Sequence, residues 1–302
     1  MHTSLLYCQV PWLCCVRVRG ADAYDFLQRQ LTNNPPATSD RFVLAAWNDA
    51  KGRVRSLFRV VRGGDGPLLV AERDGIDAVL AKLRIFVLRS DVAFEKSDDL
   101  EVGAVLGDSR TLLAERGIDL GPDPGAAARA DGLVWLRLGA ELLHVIGPRP
   151  ALDGLRAGLE PAASELAARA EIRAGLPLVG ARLAERYVPQ MLNLDRLDGI
   201  AFDKGCYPGQ EVVARLHHLG SVKRRLVHLV AAADHAPGAP PAPGTPIVDG
   251  SGNEVGDVVR AGAVDGALEL LAVVQLDATE HALFLSEPNG VPLHRADDTP
   301  PA

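Results

Sequence analysis

The pattern of apolar residues changes character once along this chain, near Ser221, and that change does more than any other feature to limit the fold. Before it, strands and helices alternate without the even strand–helix–strand rhythm of a parallel α/β sheet, which predicts an α+β front. Trp12–Val18 suits a strand, Ala21–Leu31 a helix, and Phe42–Trp47, Val54–Val61 and Leu68–Ala71 a meander turning at Asp49-Ala50-Lys51-Gly52. Ile76, Val79, Leu80, Leu83, Phe86 and Val87 share one helical face. Further strands are predicted at Glu101–Leu106, Val134–Leu138 and Leu142–Ile146, with Gly121 to Ala130 as a loop and helices over Ala151–Leu159 and Ala162–Ala170. After Ser221 only short β-segments follow, from Arg225–Val230 to Ala282–Leu285, punctuated by Pro237-Gly238 and Asp249-Gly250-Ser251-Gly252. A small terminal barrel or sandwich is expected there, with a frayed tail from Asp297.

At 302 residues the chain has room for about two domains of ordinary size. Its 32 Lys and Arg against 39 Asp and Glu, a net charge of −7, argue against a broadly basic nucleic-acid surface, so no stable nucleic-acid complex is expected. No apolar run approaches the length of a membrane span, and Pro11 breaks an opening segment that lacks a basic leader. The four cysteines, Cys8, Cys14, Cys15 and Cys206, form no disulfide framework, and the adjacent pair should face opposite sides of a strand. A reducing, cytoplasmic setting without a membrane is the expectation.

The segment with most chemical content is Asp203-Lys204-Gly205-Cys206-Tyr207-Pro208-Gly209-Gln210-Glu211, running into Val212-Val213-Ala214-Arg215. Its glycines and proline force a sharp loop before a helix, so backbone N–H groups and the positive helix end should point toward Cys206. Lys204 is expected to add a nearby cation, and together these favour a thiolate. The alternative is an inert cysteine in a tight turn. His217-His218 lacks companions at ligand spacing, so no metal site is expected.

Lys204-Gly205-Cys206-Tyr207-Pro208-Gly209-Gln210-Glu211 matches throughout the K-G-C-[FY]-x-G-Q-[DE] loop of the YgfZ family, the folate-binding relatives of the glycine-cleavage T-protein, an aminomethyltransferase. Phe26-Leu27-Gln28-Arg29-Gln30-Leu31-Thr32-Asn33, Asp49-Ala50-Lys51-Gly52-Arg53 and Val188-Pro189-Gln190-Met191-Leu192-Asn193-Leu194 resemble three further family motifs in order. The resemblance implies a three-part ring of two α+β units and a terminal barrel around a central hole that admits tetrahydrofolate or a derivative. The parts are expected at 1–44 with 151–222 as a composite first domain, 45–150 as a second, and 223–302 as the barrel.

The resemblance also implies a folate-dependent accessory role in assembling or maintaining iron–sulfur proteins, including tRNA-modifying enzymes, with those proteins or their assembly machinery as partners. Cys206 and Lys204 are then the reactive pair, with Trp12, Arg173, Asn193, Tyr207, Gln210 and Glu211 near the folate. Two departures stand out. Where T-proteins carry a carboxylate after the hairpin turn, this chain has Arg55 and Ser56, and an arginine neither acts as a base nor stabilises a cation. Where they read the pterin with a glutamate, it has Arg173, with Glu171 on the same face if the segment is a strand. The alternative function is a folate-dependent aminomethyl or methyl transferase. Ordinary core packing is the alternative role for Trp12 and Tyr207, and a solvated strand face competes with folate-tail binding for Arg53, Arg55, Arg59 and Arg62.

Overall fold

A computed structural model describes residues 5–231, 239–288 and 290–296; the turn expected at Pro237-Gly238 and the tail from Asp297 lie outside them. Strands β1 (Leu6–Gln9) and β2 (Leu13–Arg19) precede helix α1 (Ala23–Gln30), followed by β3 (Phe42–Asn48), β4 (Val54–Arg62), β5 (Pro67–Glu72), α2 (Ile76–Arg84) and β6 (Ala93–Ser97). Next come β7 (Glu101–Leu106), α3 (Arg110–Glu115), β8 (Ala127–Ala130), β9 (Leu133–Gly139), β10 (Leu142–Gly147), α4 (Arg149–Arg156), β11 (Glu160–Pro161) and α5 (Ser164–Arg173). The end of the chain holds α6 (Gln210–Leu219), β12 (Arg224–Ala231), β13 (Pro246–Asp249), β14 (Glu254–Val264), β15 (Ala267–Gln275), β16 (Leu283–Leu285) and β17 (Val291–Arg295).

The front is two sheets. One is five-stranded in the order β3-β4-β5-β2-β6, the other six-stranded in the order β11-β1-β7-β10-β9-β8. The last six strands close a barrel, β12-β15-β14-β13-β16-β17. The α+β front and terminal barrel therefore stand as expected, but the sheets divide the chain at other places. A boundary at residue 44 falls inside β3, whose partner is β4, and β2 belongs with β3 to β6 while β1 joins strands from beyond residue 100. The stretch from Gly121 to Ala130, expected as a loop, contains the edge strand β8.

Alternation explains the cysteine pair. Cys14 packs in the core under α1 and α2, whereas Cys15, on the opposite face of β2, packs in the core that joins the two sheets. A third core sews the molecule together: Ala46, Val54 and Leu57 of the five-stranded sheet, Ile172 of α5, Leu183, Leu192 and Leu194 of the connecting segment, Val213 of α6, and Leu226, Val259 and Leu271 of the barrel pack as one cluster. At least roughly 1.5 kcal/mol for each such fully buried aliphatic side chain makes this shared core a large part of what fixes the barrel to the front.

Candidate functional site

The four motifs singled out in the sequence meet around the cysteine loop. Lys204 is buried, and its ammonium donates to three backbone carbonyls just beyond or at the end of α1: Gln28 at 2.6 Å, Leu31 at 2.6 Å and Asn33 at 2.9 Å. These carbonyls have a partial negative charge at the helix C-terminus, where a cation is stabilising. Burial draws the Lys204 pKa down to about 8, while three acceptors suit the three donors of the protonated form. The same ammonium lies 5.4 Å from the centre of the Tyr207 ring. In this position Lys204 is an anchor, holding the loop to the first motif.

That motif is itself braced. Thr32 Oγ1 donates to the Gly199 carbonyl at 2.7 Å and accepts from the Ala46 N–H at 2.8 Å, and Asn33 Nδ2 donates to the carbonyls of Leu44 and Asp198. The hairpin turn touches the loop backbone to backbone. Gly209, at φ 76°, has Gly52 Cα only 2.4 Å and Asp49 O 2.6 Å from where a Cβ would stand, so only glycine allows this approach. Behind it, Gln190 Nε2 donates to the Val213 carbonyl of α6 at 2.7 Å. Asn193, at φ 57°, donates to the Leu226 carbonyl at 2.8 Å and accepts from Arg225.

On this frame Cys206 stands exposed, whereas Cys8, Cys14 and Cys15 are buried. Burial pushes all three of those thiols up, Cys15 to about 12. Gln210 opens α6 half-buried, and Glu211 is exposed in its first turn, where a carboxylate complements the helix dipole. Tyr207 is buried, with its hydroxyl raised to about 12 by desolvation. His217 is stacked on Phe202 with ring centroids 3.7 Å apart.

The remaining sequence-derived residues lie elsewhere. The segment before Gly175 is the helix α5, not a strand, so residues 171 and 173 point to different sides. Glu171 is fully buried where both sheets and the barrel meet. Its Oε1 lies 3.0 Å from Arg59 of β4 and 3.1 Å from His144 of β10, while its Oε2 accepts from Trp12 Nε1 at 3.0 Å and pairs with Arg260 of β14. Desolvation alone would raise this carboxyl, but Arg260, His144 and Arg59 outweigh it and hold the pKa well below the usual carboxylate range.

Trp12, expected against folate, has the Arg260 guanidinium 4.9 Å from its ring centre. Arg173 forks onto Glu269 of the barrel, its Nη2 2.6 Å from Oε1, which ties α5 to β15. Nor do the arginines around β4 form an open patch. Arg53 donates to the Arg186 carbonyl, Arg55 pairs with Glu185 at 2.8 Å, Arg59 pairs with Glu171, and Arg62 lies over the Tyr24 ring.

Arg55 and buried Ser56, where the sequence comparison looked for a carboxylate, line a cavity of about 200 Å³ between β4, β5, α2 and residues 179–185. Glu72, at the end of β5, lines it too, and burial raises its carboxyl to about 7 despite the opposing field of Arg260. The sequence reading passed over Glu72. Its signal was a lone acid ending the apolar run Leu68-Leu69-Val70-Ala71. Arg260 and His144 carried no signal at all, because their partner Glu171 is far away in sequence.

No helix among the described residues is long and apolar enough to cross a membrane, and none of those residues groups three or more His, Cys, Asp or Glu side chains as a metal site. No family model matches the chain. A solved glycine cleavage system aminomethyltransferase T from Bartonella henselae superposes with a TM-score of 0.72 at 17% identity, covering 98% of this chain and 86% of that one, which shows a shared fold. The tRNA-modifying protein YgfZ of Sodalis glossinidius (strain morsitans) is 32% identical over 246 residues, 79% of this chain and 75% of that protein. Its namesake from Escherichia coli O157:H7 is 33% identical over 230 residues, 74% and 71% of the two chains. Identity at that level and over that length, with the cysteine loop braced by all the other motif segments, places this chain in the YgfZ family.

Proposed function

We propose that this protein is a folate-using accessory factor for iron–sulfur enzymes that modify tRNA, acting in the cytoplasm through tetrahydrofolate or a derivative and the thiol of Cys206. The name of the relatives, tRNA-modifying protein, supports the tRNA connection. The observation that carries a thiol role is the contrast among the cysteines: Cys206 is exposed on a loop held by Lys204 and Gly209, while the other three are buried. Anchoring of this kind presents a reactive group in a fixed place, which a merely structural turn does not need. The cavity beside Arg55 and Ser56 supports small-molecule binding.

Two measurements test the reading. Deleting the gene should lower the activity of iron–sulfur tRNA-modifying enzymes, with restoration by the wild type and not by Cys206→Ala. Titration calorimetry should show the purified protein binding tetrahydrofolate. Restoration by Cys206→Ala removes the thiol from the reading, and absence of binding heat removes folate. Aminomethyl transfer is expected to be absent, since Arg55 stays cationic and pairs with Glu185 where a carboxylate would be needed. Turnover in a reconstituted glycine-cleavage assay would favour the transferase alternative.

A further inference from the structure

Among the described residues the large apolar side chains left exposed are Ile85, Phe86, Leu88, Val212 and Leu219. Scattered singly such residues need no explanation, but these flank one feature, the β3–β4 hairpin on which the cysteine loop sits. On one side Phe86 meets the Trp47 ring of β3 edge-on, with centroids 6.2 Å apart. On the other, Val212 of α6 lies against Gly52 of the hairpin turn, its Cβ 3.1 Å from where a Cβ on that glycine would stand.

Both halves depart from what burial alone would favour. Val213 is the one buried residue of α6, while Val212 and Leu219, at helical spacing with half-buried Leu216, carry an apolar stripe into solvent. Leu88 is 89% exposed and has a left-handed backbone at φ 48°, a conformation that costs a leucine energy and here returns no buried contact.

The charge around these side chains is positive, in a protein whose net charge is −7. Lys51, Arg89 and Arg215 are exposed and form no ion pair among the described residues. Nearby acids are turned inward: Glu185 holds Arg55 and Lys82, Asp49 accepts from the N–H groups of Lys51 and Arg53, and Asp91 accepts from the Ala21 N–H. Glu211 is exposed, but it stands in the first turn of α6, where the helix dipole offsets it. A second copy of the chain would bring like charges together, and RNA would gain nothing from leucine and isoleucine side chains.

We propose that Ile85–Leu88 and the outer stripe of α6 form a docking surface for a partner protein that presents an apolar ridge bordered by Asp and Glu, and that docking brings this partner to Cys206. The apolar side chains supply the anchors, and the cations set the partner's orientation. That the partner is an iron–sulfur enzyme rests on the function proposed above; the docking itself does not.

Benzoylphenylalanine in place of Leu88 or of Leu219, with Glu115 on α3 as a remote control, reports contacts in the living cell. One protein should crosslink at both docking positions and not at Glu115, and the crosslink should be lost when Arg89→Glu and Arg215→Glu are combined. That protein, purified, should bind the wild type in calorimetry and bind Leu219→Glu roughly tenfold more weakly or worse. Leu88→Gly separates docking from folding: glycine is at ease at a positive φ, so this variant should melt no lower than the wild type and still bind the partner more weakly. Crosslinks to different proteins at the two positions or to none, a product digested by ribonuclease, a product of two copies of this chain, a crosslink that survives the double charge reversal, or undiminished binding by Leu88→Gly overturns the proposal. If the shared protein neither carries nor assembles an iron–sulfur cluster, the docking stands and the function proposed above fails. If iron–sulfur enzyme activity depends on Cys206 but survives both Leu88→Gly and Leu219→Glu, only the docking fails.

Discussion

Lys204 shows how far one residue's role depends on what surrounds it. Two residues before a cysteine in sequence it reads as an activating cation, and three carbonyls at the end of α1 hold it inside the protein. Lys204→Ala should therefore lower stability by about 2–4 kcal/mol, because it leaves these carbonyls without their charged donor in a buried place. Urea unfolding of the purified variant checks this, and a loss below about 0.5 kcal/mol would be the mark of an ordinary surface lysine. Glu72 should behave in the opposite sense. Its folded pKa, raised to about 7 from 4.5, means that the folded protein keeps a proton the unfolded chain releases, so this group's contribution to stability falls as pH rises from about 4.5 to 7. Glu72→Gln should accordingly stabilise the protein at pH 8, on the order of 1 kcal/mol, and make little difference at pH 4. Melting curves at the two pH values give the comparison.

Among the elements, the joints are more informative than the strands. Gly209→Ala would drive a methyl group into Gly52 and Asp49 at a positive φ, so the cysteine loop should lose its seat on the hairpin turn at a cost of about 2 kcal/mol or more, visible as a lower urea midpoint. The seam between α5 and the barrel adds ion pairs to the apolar packing of Ile172, with Glu171 and Glu269 both held at depressed pKa values, Glu269 at about 2. Their contribution is full above the unfolded value near 4.5 and is lost as pH falls toward 2, so the melting temperature should drop between pH 5 and pH 3. Most of these elements were legible in the sequence, because β2, β4, α2 and the barrel strands carry their apolar period locally. The short edge strand β8 was not, since Ala127-Ala128-Arg129-Ala130 has little side chain with which to show alternation. The helical state of Glu171-Ile172-Arg173 was also missed, and with it the identity of the residue facing the three-body junction. Of the site, the motif segments were visible and their meeting was not: Lys204 reaches Gln28 across 176 residues, a pairing that no local pattern encodes.

At the scale of the molecule, the barrel does not hang from the front by a linker. Leu226, Val259 and Leu271 share a core with both α5 and the five-stranded sheet, and Arg260 completes the Glu171 cluster. Calorimetry should therefore record a single melting transition with the calorimetric and van't Hoff enthalpies in agreement; two resolved peaks would show an independent barrel. The burial of three of the four cysteines has its own consequence for this architecture. Cys8, Cys14 and Cys15 are walled into the sheets, so an oxidised Cys206 finds no partner within the folded chain. Exchange with glutathione disulfide should join one glutathione to Cys206 and release one reduced glutathione, and intact-mass analysis should count one adduct per folded molecule and no internal crosslink. Such a protein is monovalent toward its redox surroundings: whatever covalent bond it makes through sulfur, it makes with something other than itself.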